Sequence, residues 1–346
     1  MYIIRNEGRN VIMEQSWKHV LFTYVNENNQ CQIDYRAESR EQVVTDISYL
    51  MERSERLNRL TDWYENRESQ PLRSETRAKI LRMIRETEQE VILDIQLYTQ
   101  LFYTKGGMTH REDTIQRERL TFIRDGSQWV IVSIEQLIVE RHPLVKNVVL
   151  SNGVEDMYAG LSGPYLNSNV WGNGANRRPA KYSREEAVAY ADRWWDSANP
   201  EFTAFAVDCT NYISQCLFAG GAPIHYTGNR ATGWWYKGYV SDKEWWSYSW
   251  AVANSLENLL SSSTLGLKAE VVDRAEQLML GDVIIYDWDG DGSYQHSSIV
   301  TAFDAGGMPL VNAHTVSSRH RYWDYKNSYA WQENTKYRFL HISDVF

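Results

Sequence analysis

Between two stretches of regular hydrophobic periodicity lies a segment that can join neither of them. Residues Ser151 to Pro179 are rich in Gly, Asn and Ser and carry Pro164 and Pro179, a composition that interrupts helices and strands alike. At 346 residues the chain is also longer than a single core usually serves. The break therefore predicts an accessory domain over residues 1–150, a linker over 151–179 and a second domain over 180–346. A hydrophobic content of 43% is sufficient to give each domain its own core.

The charge balance excludes some function classes. A net charge of −9 argues against a nucleic-acid binder or a protein held on anionic lipid by charge alone. No uninterrupted apolar run reaches the roughly 18 residues of a membrane span. The first residues, Met1 to Asn10, are charged and lack the apolar centre of an export signal, so the expectation is a cytoplasmic protein or one released by a non-standard route. Cys31, Cys209 and Cys216 cannot build a disulfide framework. On one helix the last two would stand about 10 Å apart, beyond bridging distance, and reduced thiols are expected.

In the first half, Val11 to Arg36 fits helix or strand equally well. Ser39 to Glu68 places Val43, Ile47, Leu50, Met51, Leu57 and Leu60 at helical spacing, and a second helix is expected over Ser74 to Gln89. Three strand-like runs follow, Val91 to Thr104, Thr114 to Arg124 and Gln128 to Val139, separated by Gly106-Gly107 and Asp125-Gly126; they read as an antiparallel meander. Helices before a meander suggest a smaller α+β domain of the cystatin-like or nuclear-transport-factor-like kind. Such a domain binds partners or self-associates, and nothing in it reads as catalytic.

In the second half, Ser183 with Glu186 opens a helix by a capping box, and Ser241 with Glu244 repeats the pattern ahead of Trp246 to Leu260. Strands are expected at Asp282 to Tyr286, His296 to Phe303 and Pro309 to His314. Between the two capping signatures, Asp208 can cap a helix that carries Cys209 in its first turn and stops at Gly220-Gly221. A thiol at that end meets the positive pole of the helix dipole, which favours the nucleophilic thiolate. Cys216, two turns on among apolar neighbours, reads as core.

A cysteine nucleophile needs an imidazole as base and then acid, and His296 at the head of a strand is the candidate. A third group should hold that ring. If the turn between the last two strands has three residues, alternation puts His296 opposite His314 with Asn312 on a diagonal, and either could serve. The run Asp287, Asp289, Asp291 and Gly292 imitates the first half of a calcium loop, but its twelfth position is Ser298 rather than a bidentate Glu, so a solvated acidic hairpin is expected instead of a metal site. Most of the 14 tryptophans fall in this half. Adjacent pairs such as Trp194-Trp195, Trp234-Trp235 and Trp245-Trp246 cannot all face inward from one regular element, which leaves some for a cleft.

Taken together and in order, Asp208-Cys209-Thr210-Asn211-Tyr212-Ile213-Ser214-Gln215-Cys216-Leu217, Gly220-Gly221, the run Gly281 to Gly292, His296 and Asn312-Ala313-His314-Thr315 resemble the bacterial putative-amidase domain family. That family is similar to the NlpC and CHAP groups of papain-like cysteine hydrolases. The resemblance covers about residues 180–346 and implies an α+β, papain-like domain in which a Cys-bearing helix packs on an antiparallel sheet bearing the His. It implies hydrolysis of amide bonds in cell-wall peptides through a thioester, without a cofactor. Cys209 would be the nucleophile, His296 the base and His314, which fits the family position better than Asn312, the orienting residue. The rival reading is a non-catalytic module that binds peptide or glycan in an aromatic-lined cleft.

Overall fold

Two helices lead the first unit of the chain, and hydrophobic spacing accounts for the first while a side-chain cap starts the second, whose Ile47 and Met51 are exposed rather than core. The computed structural model describes residues 16–34, 43–137, 140–141, 180–240 and 243–346. It divides into a unit of Met1–Val139 with Tyr325–Tyr329 and a unit of Glu140–Asp324 with Ala330–Phe346. The expected linker at 151–179 lies outside the described residues. Helix α1 (Trp17–Ile33) resolves the open reading of Val11 to Arg36: Trp17, Val20, Leu21, Tyr24 and Val25 are buried at three-to-four spacing. Helix α2 (Ile47–Asn66) starts later than Ser39, at Asp46, whose carboxylate accepts a hydrogen bond from the Tyr49 amide at 3.1 Å.

The helix expected over Ser74 to Gln89 does not form. Those residues belong to strand β1 (Ser69–Glu86). Its Arg, Lys, Glu and Leu side chains favour a helix in isolation. Pairing with β2 (Glu90–Lys105), from Ser69 opposite Lys105 to Glu86 opposite Val91, supplies a long ladder instead, and charged side chains suit an outer strand that faces solvent. The meander continues through β3 (Met108–Asp125) and β4 (Gln128–Gln136), close to the expected strands. Gly106, Gly107 and Gly126 take positive φ at its turns. Val91, Leu93, Ile95 and Leu97 alternate onto one face and pack with Leu120, Phe122 and Ile131 against Trp17, Leu21 and Tyr24.

The second unit opens with helix α3 (Arg184–Trp194), capped by the Ser183 hydroxyl, which accepts from the Glu186 amide at 3.3 Å. Helix α4 (Cys209–Ala219) follows. Next come a hairpin of β5 (Tyr236–Val240) and β6 (Lys243–Trp246), then two short helices, α5 (Tyr248–Ala251) and α6 (Ala253–Ser262). The helix expected from Ser241 therefore starts after Ser247, because Glu244 is already committed to β6, while Ser241 lies outside the described residues. Strands β7 (Ala269–Val272), β8 (Val283–Asp287), β9 (His296–Phe303), β10 (Pro309–Ala313), β11 (Ser317–Tyr322) and β12 (Lys336–Ile342) make an antiparallel sheet in the order β11-β10-β9-β8-β12-β7. The protein is α+β.

Ile213, Cys216 and Leu217 of α4 meet Val283, Ile285 and Ile299 of the sheet in one core with Trp234, Trp235, Trp246 and Trp250. These indoles line no open cleft. Both members of the Trp234-Trp235 pair are buried, since Trp234 Nε1 donates to Ser214 Oγ at 3.1 Å and Trp235 Nε1 to the Thr232 carbonyl at 3.0 Å. Burial pushes the Cys216 thiol well above its ordinary value. Fully buried Asp282 ties the start of α3 to the sheet: it takes Arg184 Nη1 at 2.7 Å, His341 Nδ1 at 2.8 Å and the amides of Met279 and Ile342. No helix among the described residues is long and apolar enough to cross a membrane.

Candidate functional site

Helix α4 begins at Cys209, but Asp208 does not cap it in the expected way. With φ −110° and ψ 0° its side chain makes no cap to the helix. Asp208 Oδ1 accepts from the Phe205 amide at 3.0 Å and from Asn211 Nδ2 at 2.8 Å, and Oδ2 meets His314 Nδ1 at 2.7 Å. The carboxylate thus braces the chain on both sides of the thiol. Thr210 adds a second tie, its hydroxyl lying 3.2 Å from Ser297 Oγ, so the first turn of α4 is fixed to the head of β9.

That tie puts the thiol beside His296. Cys209 is 2% exposed and His296 0%, and in such dry surroundings charge interactions are strong. Burial by itself raises the Cys209 pKa. The His296 imidazole, by hydrogen bonding and by charge, outweighs it together with the Thr210 hydroxyl and the Ser297 backbone, and the thiol comes down to about 7. About half of it is therefore thiolate at neutral pH.

His296 is the first residue of β9, paired with Tyr286 of β8. The ring packs against two aromatic neighbours that also stack on each other, with centroids 5.4 Å from Tyr286 and 5.6 Å from Trp288, the latter stacked at 27°. Each neighbour is itself held. Tyr286 donates to the Trp323 carbonyl at 2.8 Å, and Trp288 Nε1 donates to the Glu140 carbonyl at 3.2 Å. The sequence did not single out this three-ring cluster. Tyr286 was legible as the cross-strand neighbour of His296, whereas Trp288 lies beyond the end of β8, where alternation carries no information.

The structure brings Cys209 and His296 together and separates His314 from them. Both ring nitrogens of His314 are committed elsewhere, Nδ1 to Asp208 at 2.7 Å and Nε2 to the Trp194 carbonyl at 2.6 Å, and the ring stacks on Tyr212 at 3.9 Å and 13°. The expected facing of His296 and His314 fails for a reason of register. The turn occupies residues 304–308, not three positions, and Pro309 pairs with Phe303. A bulge between Leu310 and Val311 then shifts the pairing by one, so that Asn312 stands opposite Ile299. One residue of slip moves every later side chain to the other face. Asn312 is carried away with His314: its Oδ1 accepts from Thr301 and the His320 amide, and its Nδ2 donates to Asp192 at 3.0 Å.

The acidic loop is compact. Ligand oxygens of Asp287, Asp289 and Asp291 lie within 4.8 Å of one another. Asp287 already accepts from the amides of Gly290 and Gly292 at 2.8 and 2.9 Å, Asp289 from Gln295 at 2.8 Å and Asp291 from the Ser293 amide at 2.7 Å. These bonds stabilise the hairpin. Chelation is expected to leave the melting temperature unchanged, and added Ca²⁺ not to raise it; a rise that saturates with Ca²⁺ in a thermal melt would assign the loop to metal.

Residues 181–340 match the family described as putative amidase domain. An uncharacterized protein of Bacillus subtilis (strain 168), YhbB, is 50% identical over 167 residues, covering 48% of this chain and 52% of that protein. A second from the same organism, the uncharacterized protein YjcM, is 29% identical over 132 residues, covering 35% of this chain and 28% of that protein. The chain thus spans about half the length of the first relative and less of the second. No solved structure matches.

Proposed function

We propose that the second unit is a papain-like cysteine amidase that cuts amide bonds in cell-wall peptides through a thioester. The observation that carries the reading is the Cys209 thiol in the first turn of α4, brought to about 7 chiefly by His296 against the effect of its own burial. A structural core cysteine behaves in the opposite way, as Cys216 does on the same helix. The amidase family match supports the reaction class, and the substrate class rests on the motif resemblance in the sequence alone.

In this mechanism the Cys209 thiolate attacks the amide carbonyl carbon. The Cys209 amide, at the positive end of α4, stabilises the oxyanion. His296, protonated after taking the thiol proton, gives that proton to the leaving nitrogen as the C–N bond breaks, and the acyl group stays on sulfur. Water then attacks the thioester, with His296 accepting its proton; the C–S bond breaks, the carboxylic acid leaves and the proton returns to the thiol. The rings of Tyr286 and Trp288 restrict the imidazole, a positioning role otherwise filled by a third polar residue.

The test is incubation of the full chain with peptidoglycan fragments, followed by mass analysis of products and of the Cys209 peptide. Free amine and carboxyl termini, with an acyl adduct on Cys209 in acid-quenched samples, are expected. A native protein that gives neither product nor adduct, yet still binds the fragments, would replace the hydrolase with the non-catalytic binding module.

A further inference from the structure

The first unit contains a polar cavity of about 50 Å³ walled by α1, α2 and the meander. That is room for about four water molecules or an organic molecule of similar size. Its walls carry opposite charges on different elements: Glu118 projects from β3, and Arg53 and Arg56 come from α2. Thr99 and Gln116 supply neutral hydrogen-bonding groups beside Glu118, while Val25, Leu57 and Leu97 supply apolar wall.

The two buried charges are incompletely used by the protein. Glu118 is 5% exposed and, among the described residues, accepts one hydrogen bond, at Oε2 from the Tyr24 hydroxyl at 2.8 Å. A carboxylate can accept several. Burial pushes its carboxyl up, Tyr24 offsets part of that, and the result is about 7. Arg53 is 9% exposed and donates from Nη2 to Cys31 Sγ at 2.7 Å, which leaves other donors of its fork. A buried acid and a buried base that line one small cavity without pairing cost stability, and both are satisfied by one ligand with the complementary pair of charges.

We propose that this cavity binds a small zwitterion, a free α-amino acid of glycine or alanine size, with its ammonium on Glu118 and its carboxylate on Arg53. The partly exposed Asn28, Gln32 and Arg56 frame its mouth. Arg56 is braced there by the Asn327 carbonyl at 2.6 Å and by Gln32 at 3.3 Å. The site is independent of Cys209, so it stands or falls apart from the amidase reading.

Calorimetric titration of the full chain with glycine, L-alanine and D-alanine tests this, with acetate and methylammonium as half-ligands. At least one amino acid is expected to bind about tenfold or more tightly than either half-ligand. Glu118→Gln should weaken it about tenfold or more, and Leu97→Phe, which fills the cavity without touching a charge, should abolish binding. Should Glu118→Gln not fold, the Leu97→Phe protein and the half-ligand comparison decide by themselves. The proposal is overturned if no amino acid binds at tens of millimolar to native protein. It is equally overturned if acetate binds as well as glycine, which makes the cavity an anion site, or if binding survives Leu97→Phe.

Discussion

Alkylation of Cys209 by iodoacetamide is expected to follow a single ionisation with a midpoint near pH 7, and to lose that midpoint when His296 is replaced by Ala. The thiol is buried, and burial raises its pKa; what lowers it is first the imidazole, through hydrogen bond and charge. Without the ring the thiol should titrate above the ordinary cysteine range, near 9 or higher. At pH 7 the thiolate fraction then falls from about one half to about one hundredth, so labelling should slow by roughly 50-fold. Hydrolysis should fall further, by about 10³-fold or more, because His296 also protonates the leaving nitrogen, and Cys209→Ala should remove it entirely. Site-resolved mass spectrometry of the labelled peptide measures the first effect and product release the second. An unchanged midpoint in His296→Ala would dissociate the imidazole from the thiol and leave the proposed mechanism without a base.

Replacing His314 with Ala is expected to damage stability rather than the chemical step. The ring lies between two acceptors, the Asp208 carboxylate at 2.7 Å and the Trp194 carbonyl at 2.6 Å, and both side chains of the pair are nearly buried. Its removal leaves the Asp208 carboxylate without its imidazole partner beside the thiol-bearing turn. Leaving a nearly buried acceptor without its hydrogen-bond partner costs about 1–3 kcal/mol, which for a protein of this size lowers the melting temperature by several degrees. Asp208→Asn in the same chain should recover part of the loss, since a neutral amide tolerates burial better than a carboxylate that has lost its partner, and the double-mutant cycle should show a coupling of about 1–3 kcal/mol. A His314→Ala protein that melts like the native one but has lost its pH 7 labelling of Cys209 would return His314 to the role of orienting His296.

What the sequence determined about this protein is what local signals can specify. Apolar spacing behind Cys209 and two glycines at the end of the run place the thiol near the head of a helix, because periodicity and termination act within a few residues. The Ser183 cap, the strand at His296 and the meander after Glu90 were legible for the same reason. Tertiary structure decided the rest. Ser74 to Glu86 has a helical composition but lies in β1, since the ladder along β2 outweighs a propensity worth a few tenths of a kcal/mol per residue. The acid in Asp208 reads as a helix cap and acts as a brace, because its partner His314 arrives from 106 residues away. His314 could reach it only through the bulge at Leu310 and Val311, which turns His314 and Asn312 away from the face that carries His296. A bulge depends on how two strands settle against each other and against the helices above them, and no stretch of residues read alone contains that information.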